Sequence, residues 1–322
     1  MPELSKGRVA DWMLLLVALA WGLSFPVAKD AMLRWTDHKL LFLAGRFGIA
    51  LVLFAPAVSR QPLQELMRHL VPGSLAAVVL LGVFLCQFEA LRLPSTSGEV
   101  AFVTAVSTVV VPIAQAVFFS RRVSLWVWLG FLVASIGMYF LLITPGTLIG
   151  LRRADLVALG GAACFAAYII LIGYIRNPGK PLQRRPYQVN HLLFVQFVVL
   201  AVLTVGLASL VEIPQATWPA WNLHVVLDMA FMAIIATGGT LYLQTRFQDS
   251  TSPERVALVL ATEPVFAAVF GWWFLHEQFT LWMACGAALI LGGVLMAEFN
   301  AAREMTAKGS DKELVPETQS RQ

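Results

Sequence analysis

Long apolar stretches alternate with short polar joints along most of the chain. Ten apolar runs fall at about 11–32, 40–58, 71–92, 96–119, 123–143, 155–175, 189–211, 222–246, 252–275 and 279–299. About 20 helical residues cross a hydrocarbon core roughly 30 Å thick, so each run is long enough to span a bilayer. Joints such as Pro94-Ser95 and Arg121-Arg122 are so short that the runs beside them must form helical hairpins. The longest polar segments are 176–188 and the residues after Asn300. The segment 300–322 has mixed charges and no apolar period, and reads as a disordered cytosolic tail. The pattern predicts an all-α polytopic membrane protein with ten transmembrane helices.

Composition agrees. Of 322 residues, 58% are apolar and 13% charged, about half the charge of a typical soluble domain. Mean hydropathy is +0.74. So few charges cannot coat a water-soluble surface, which excludes an ordinary soluble enzyme, a disordered chain and a nucleic-acid-binding domain. Cys86, Cys164 and Cys285 lie inside apolar runs, with no disulfide framework and no metal spacing. They suit small-residue helix packing. The first run follows Lys6 and Arg8 as a secretion signal would, but no small-x-small cleavage site follows it. It reads as an uncleaved first helix.

Cytosolic loops of membrane proteins carry an excess of Lys and Arg. With the N-terminus inside, the inner segments hold 12 such residues and the outer loops five, namely Arg34, Lys39, Arg92, Arg152 and Arg153. Both termini are therefore expected in the cytosol, and an even number of spans does place both on one side.

The chain also repeats itself. Residues 99–139 align with 255–295 at an offset of 156, with ten of 41 positions identical, among them Leu125-Trp126/Leu281-Trp282, Gly130/Gly286 and Gly137/Gly293. Asp11 and Trp21-Gly22 correspond to Asp155 and Phe165-Ala166 at an offset of 144. The expected units are 9–143 and 154–299, five spans each. Five is odd, so the second unit enters the membrane in the opposite sense. Inverted repeats of this kind underlie many alternating-access transporters.

These residues resemble the EamA domains of the drug/metabolite transporter superfamily. The resemblance rests on Trp21-Gly-Leu-Ser-Phe-Pro26, Arg46-Phe47, the run 95–105, Tyr242-Leu-Gln-Thr-Arg246, the run 256–272 and His276-Glu277. It covers about residues 9–298. Two departures stand out: Arg121-Arg122 where an acidic residue is common, and Thr108 where proline is usual, with Pro112 four residues later. The resemblance implies a permease that moves small metabolites such as amino acids or drug-like solutes, often outward, in a bacterial inner membrane. An intramembrane lipid-modifying enzyme and a non-transporting membrane partner are the alternatives.

Ionisable groups inside a bilayer are costly and are functional candidates by default. Glu263 lies midway along the ninth run, and Pro264 after it removes a backbone donor, freeing a carbonyl one turn earlier at Leu260. A mid-membrane carboxyl is stable only when protonated, paired or hydrated. Glu263 is thus either an ion or substrate site or a buried group tied to a neighbouring helix. Lys29, Arg46, Glu89 and Glu99 fall at similar outer depth, as a gate of mutual ion pairs or as separate interfacial groups. Gln87 and Gln244 occupy similar places in the third and eighth runs, and with Tyr168 and Ser107 supply neutral polar groups for a solute or for helix packing. Trp21, Phe25 and Phe165 are candidate apolar cavity walls. The sequence contains no H-E-x-x-H, P-loop or G-x-S-x-G motif. No enzyme activity, metal or cofactor is expected, and transport would draw on a solute or ion gradient. Protons are the candidate coupling ion, Glu263 is their natural carrier, and the oligomeric state stays open.

A reporter fused after Gln322 and a label within 176–188 should both register the cytosol, and a label within 212–221 the outside. Labelling of 176–188 from outside would overturn this orientation.

Overall fold

The structure is a computed structural model that describes residues 2–35, 37–119, 124–142, 152–176, 187–213, 221–250, 253–278 and 280–296. The expected tail at 300–322 and the pair Arg121-Arg122 lie outside the described residues. Among the described residues every regular element is helical. In chain order these are α1 (Pro2–Arg34), α2 (Lys39–Val58), α3 (Leu63–Arg92), α4 (Ser97–Ala105), α5 (Ser107–Phe119), α6 (Leu125–Leu142), α7 (Arg153–Arg176), α8 (Val189–Val211), α9 (Leu223–Ala233), α10 (Thr240–Phe247), α11 (Pro253–Leu260), α12 (Glu263–Leu275) and α13 (Leu281–Met296).

Three pairs of these helices are single rods with a defect. α4 and α5 meet at Val106, a π-helical turn (Ile234–Gly239) joins α9 to α10, and α11 and α12 meet at Ala261-Thr262. The described helices therefore form ten rods at the ten predicted runs. Seven are long and apolar enough to cross a membrane, and Leu125–Phe140 and Leu281–Met296 are shorter apolar helices. α3 begins at Leu63 rather than near residue 71. Pro62 sits at its N-cap and Glu65 in its first turn, where a negative charge suits the helix dipole. Hydropathy marks what can lie in lipid, while capping chemistry decides where a helix begins.

The outer surface carries large apolar side chains with nothing packed on them. Leu210 and Leu281 are 78% and 79% exposed, and Val52 71%. Each would forgo about 1.5–3 kcal/mol of burial in water, so this surface is made for lipid. The chain is an integral membrane protein. Helices then associate through close packing of small residues rather than hydrophobic exclusion. The crossing of α6 and α13 illustrates this. A Cβ at Gly137 would stand 2.6 Å from the Gly286 carbonyl oxygen, and one at Gly293 would stand 2.5 Å from that of Gly130. All four glycines belong to the sequence repeat, so the contact is reciprocal. Cysteines serve similarly between α3 and α7: Cys164 faces Gly82, and Cys86 faces Gly161.

The other packing follows the same exchange of rods. α3 packs on α7 and α8, and the α9–α10 rod packs on α1 and α2. α1 packs on α11 and α12, and α7 on α4 and α5. α2 and α8 pack on each other. The two broken rods also meet, α4 against α12 and α5 against α11.

Replacing Gly137 or Gly293 by Leu should destabilise the purified protein by about 1–3 kcal/mol through overpacking. Gly206→Ala, at a glycine with nothing within 4 Å, should be neutral or gain up to about 1 kcal/mol in helix propensity. Thermal unfolding in detergent checks both, and equal tolerance at all three sites would remove the close crossing.

Candidate functional site

The two interrupted rods break at the same place in the repeat. Val106 and Thr262 are 156 positions apart, the offset of the repeat, so Ser107 corresponds to Glu263. In each case a threonine hydroxyl turns back on its own helix: Thr104 donates to the Val100 carbonyl at 2.8 Å and Thr262 to that of Val259 at 2.8 Å. Such back-bonding bends helices. Pro264 adds to the second break, because it has no N–H to give Leu260. Paired interruptions in corresponding rods mark the binding region of inverted-repeat transporters.

A cavity of about 30 Å³ lies beside these breaks. α1 contributes Trp21 and Ser24, α2 contributes Arg46, and α3 contributes Leu80, Val83, Phe84 and Gln87. Thr104 reaches it from α4, Phe165 from α7 and Glu263 from the first turn of α12. Trp21 and Phe165, equivalent in the repeat, meet edge to face at 5.4 Å. The space holds about two waters, well below the few hundred Å³ of a typical small-molecule site. A larger cleft of about 540 Å³ opens at the end of α12 beside Trp272 and Trp273, whose side chains are exposed. It is a surface feature at the depth expected for an aromatic belt.

Arg46 is the strongest charge in the cavity wall and is only 1% exposed. It is held by the π turn of the eighth rod. There the Thr240 N–H bonds to the carbonyls of Ile235 and Thr237, bypassing the Ala236 oxygen that an α-helix would use. Ala236 is thereby free to accept from Arg46 Nη2 at 3.1 Å and from Trp21 Nε1 at 3.1 Å. Arg46 Nε donates to the Thr237 hydroxyl, which itself donates to the Met232 carbonyl at 2.6 Å. The Phe84 ring lies 4.3 Å from the guanidinium carbon, a favourable cation–π distance.

The sequence candidates separate into those the fold gathers and those it does not. Trp21, Phe165, Gln87, Glu263 and Arg46 meet at the cavity. Phe25, Pro264 and Ser107 are buried near the same rods but do not line it. Tyr168 donates to Gln196 Oε1 at 3.1 Å inside the second unit. Gln244 is fully buried away from the cavity, so the two amides do not form a matched pair there.

The gate of Lys29, Arg46, Glu89 and Glu99 is not formed. Lys29 donates to the carbonyls of Leu91 at 2.7 Å and Leu93 at 3.2 Å, around the end of α3. Glu89 pairs with Lys39 and with Arg92, and Glu99 closes a capping box with Thr96 and pairs with Arg152 at 2.9 Å. Unsatisfied groups at helix ends and local charges claim these side chains first. Equal depth in the membrane does not make lateral neighbours.

Two structural roles escaped the sequence, that of Glu277 and that of residues 234–239. Glu277 follows His276, whose φ of 53° ends α12 in the left-handed conformation. Glu277 then reaches the start of α4, accepting from the Ser97 N–H at 2.8 Å and the Ser97 hydroxyl at 2.7 Å. The π turn was the other, and its only trace is Gly238-Gly239 beside Thr237.

Comparison with known proteins gives a consistent result. The family described as EamA-like transporter family matches residues 8–143 and 152–299. An uncharacterized transporter of Archaeoglobus fulgidus is 30% identical over 297 residues, covering 90% of this chain and 86% of that protein. The uncharacterized transporter YoaV of Bacillus subtilis is 28% identical over 150 residues, 46% of this chain and 50% of that one. A solved crystal structure superposes with a TM-score of 0.70 at 18% identity, covering 92% of this chain and 98% of its own. That likeness concerns the fold.

With the three native cysteines replaced, the Gln87→Cys variant should react with a small water-soluble thiol reagent, and the Gln244→Cys variant should not. The reverse order of reactivity would move the solute path away from this cavity.

Proposed function

Because the chain belongs to the EamA-like transporter family, we propose that this membrane transporter is a secondary permease exporting small organic metabolites such as amino acids or drug-like solutes. The observation that carries the reading is the cavity beside two equivalent helix breaks, with Arg46 and Glu263 in its wall. Breaks expose backbone polar groups where the bilayer supplies no partners, which is tolerated only where they are buried in protein or line a cavity.

The mechanism we infer is alternating access. A cavity that holds about two waters cannot admit a metabolite until its walls part. Ties suited to breaking in turn stand at both ends. At the outer end Glu277 holds Ser97 and Arg152 holds Glu99. At the inner end Arg255 pairs with Asp11 at 3.1 Å. Glu99 and Arg255 are equivalent in the repeat, so the two ends carry related ion pairs with the signs reversed. Parting one set while the other holds would present the cavity to one side at a time. In this reading the protein sits in a bacterial inner membrane with both termini in the cytosol, and no chemical step is required of it.

Glu263 is the proposed proton carrier. It has no ion pair with another side chain among the described residues, and it opens α12 directly after the break. A coupling group must bind its proton differently in the two states. The break offers a means, since tilting α12 against α11 changes what surrounds the carboxyl.

In proteoliposomes the wild type should accumulate its solute against a gradient when a pH difference is imposed. Glu263→Gln keeps the size of the protonated carboxyl. It should still exchange solute but lose at least tenfold in pH-driven accumulation, about 1.4 kcal/mol of driving force. Accumulation equal to wild type would remove Glu263 from coupling. Absence of flux for every solute tested would remove the transport reading for this chain.

A further inference from the structure

The guanidinium of Arg46 is permanently charged, 1% exposed and deep in a membrane protein. A buried charge needs a counter-charge or full hydrogen bonding. Two of its N–H donors go to Thr237 and Ala236 on the π turn. Nη1 has no hydrogen-bond partner, and no carboxylate lies within ion-pair distance among the described residues. The groups that hold Arg46 are thus a hydroxyl, a carbonyl and an aromatic face, all neutral. They fix the plane and direction of the guanidinium and give it no ion pair; Glu263, the other ionisable group lining the cavity, makes none with it.

The aligned position in the second unit carries no charge. At an offset of 150, between the 144 and 156 of the flanking segments, Arg46-Phe47 of α2 aligns with Gln196-Phe197 of α8, and Gln196 is buried with a neutral partner in Tyr168. One unit builds the position with an amide and the other with a cation that lines the cavity.

We propose that Arg46 is the anion subsite of this transporter and that its solutes carry a carboxylate. This rests on the permease reading above. Of the donors left over, one on Nη1 and the second on Nη2 point side by side from the end of the guanidinium opposite Nε. That end can grip the two oxygens of one carboxylate in the planar manner that favours Arg over Lys. Trp21, Phe84 and Phe165 line the same cavity and suit an apolar or aromatic body attached to the acid, and Glu263, which also lines it, leaves the anion unopposed when it carries its proton. The subsite also gives a basis for selection. A neutral analogue would leave the cation buried without a counter-charge, so the site should reject it.

The test compares 3-phenylpropionate with its uncharged carboxamide. In detergent, the carboxylate should raise the unfolding temperature of the wild type and bind at least tenfold tighter than the amide. Arg46→Gln should bring the two within about twofold. Arg46→Lys keeps the charge without the planar fork and should retain a reduced preference, which serves if the Gln variant does not fold. Equal binding of acid and amide by wild type, no response to the acid at millimolar concentration, or undiminished preference in Arg46→Gln would each overturn the proposal. Flux separates it from the underlying reading. Proteoliposomes that move the amide but not the acid overturn the subsite and leave transport standing. A protein that binds the acid with the stated preference but moves neither compound supports the subsite and counts against the permease reading for this class of solute.

Discussion

One backbone oxygen organises the centre of this protein. The π turn in the eighth rod skips the Ala236 carbonyl, and Trp21 and Arg46 share it. Three rods from both units are joined at that atom: α1, α2 and the α9–α10 rod. A regular α-helix through 234–239 would close the carbonyl in its own ladder and leave a buried cation with one fewer partner. The defect therefore stabilises the site, in keeping with the frequent placement of π turns at functional positions.

The surrounding arrangement follows from the requirement that polar groups inside a membrane find partners within the protein. Lys29 takes carbonyls at the end of α3, and Glu277 takes the N–H of Ser97 at the start of α4. Glu212 takes the N–H groups of Leu40 and Leu41 at the start of α2, at 2.8 and 2.9 Å. Charge at the rod ends is spent on helix termini and local ion pairs. Arg46 lies in the cavity wall within α2, away from its ends, and Glu263 lines the same cavity from the first turn of α12 with no ion pair among the described residues. This division separates the charges tied to helix ends from the two that line the cavity.

The rods were legible because twenty apolar residues have few fates, and the repeat was legible because paired glycines recur in one register. Glycines 130, 137, 286 and 293 prove to be where two rods touch backbone to backbone. The break at Glu263 was legible through Pro264. The matching break at Val106 was not, because no proline marks it and a threonine back-bond sets the bend. The π turn was hidden for the same reason: it depends on which rods press against 234–239. Depth along a rod could be counted from the sequence, which placed Arg46 among outer charges. Its lateral partners could not, and these move it to the cavity.

The small cavity also bears on what the protein keeps out. Protons cross apolar barriers along continuous files of hydrogen-bonded water. A file spanning a core of about 30 Å at roughly 2.8 Å per water needs on the order of ten molecules. The space between Trp21, Phe84 and Phe165 holds about two. In the proposed transport cycle, closing the cavity around its solute path would therefore also interrupt any such file at the helix breaks.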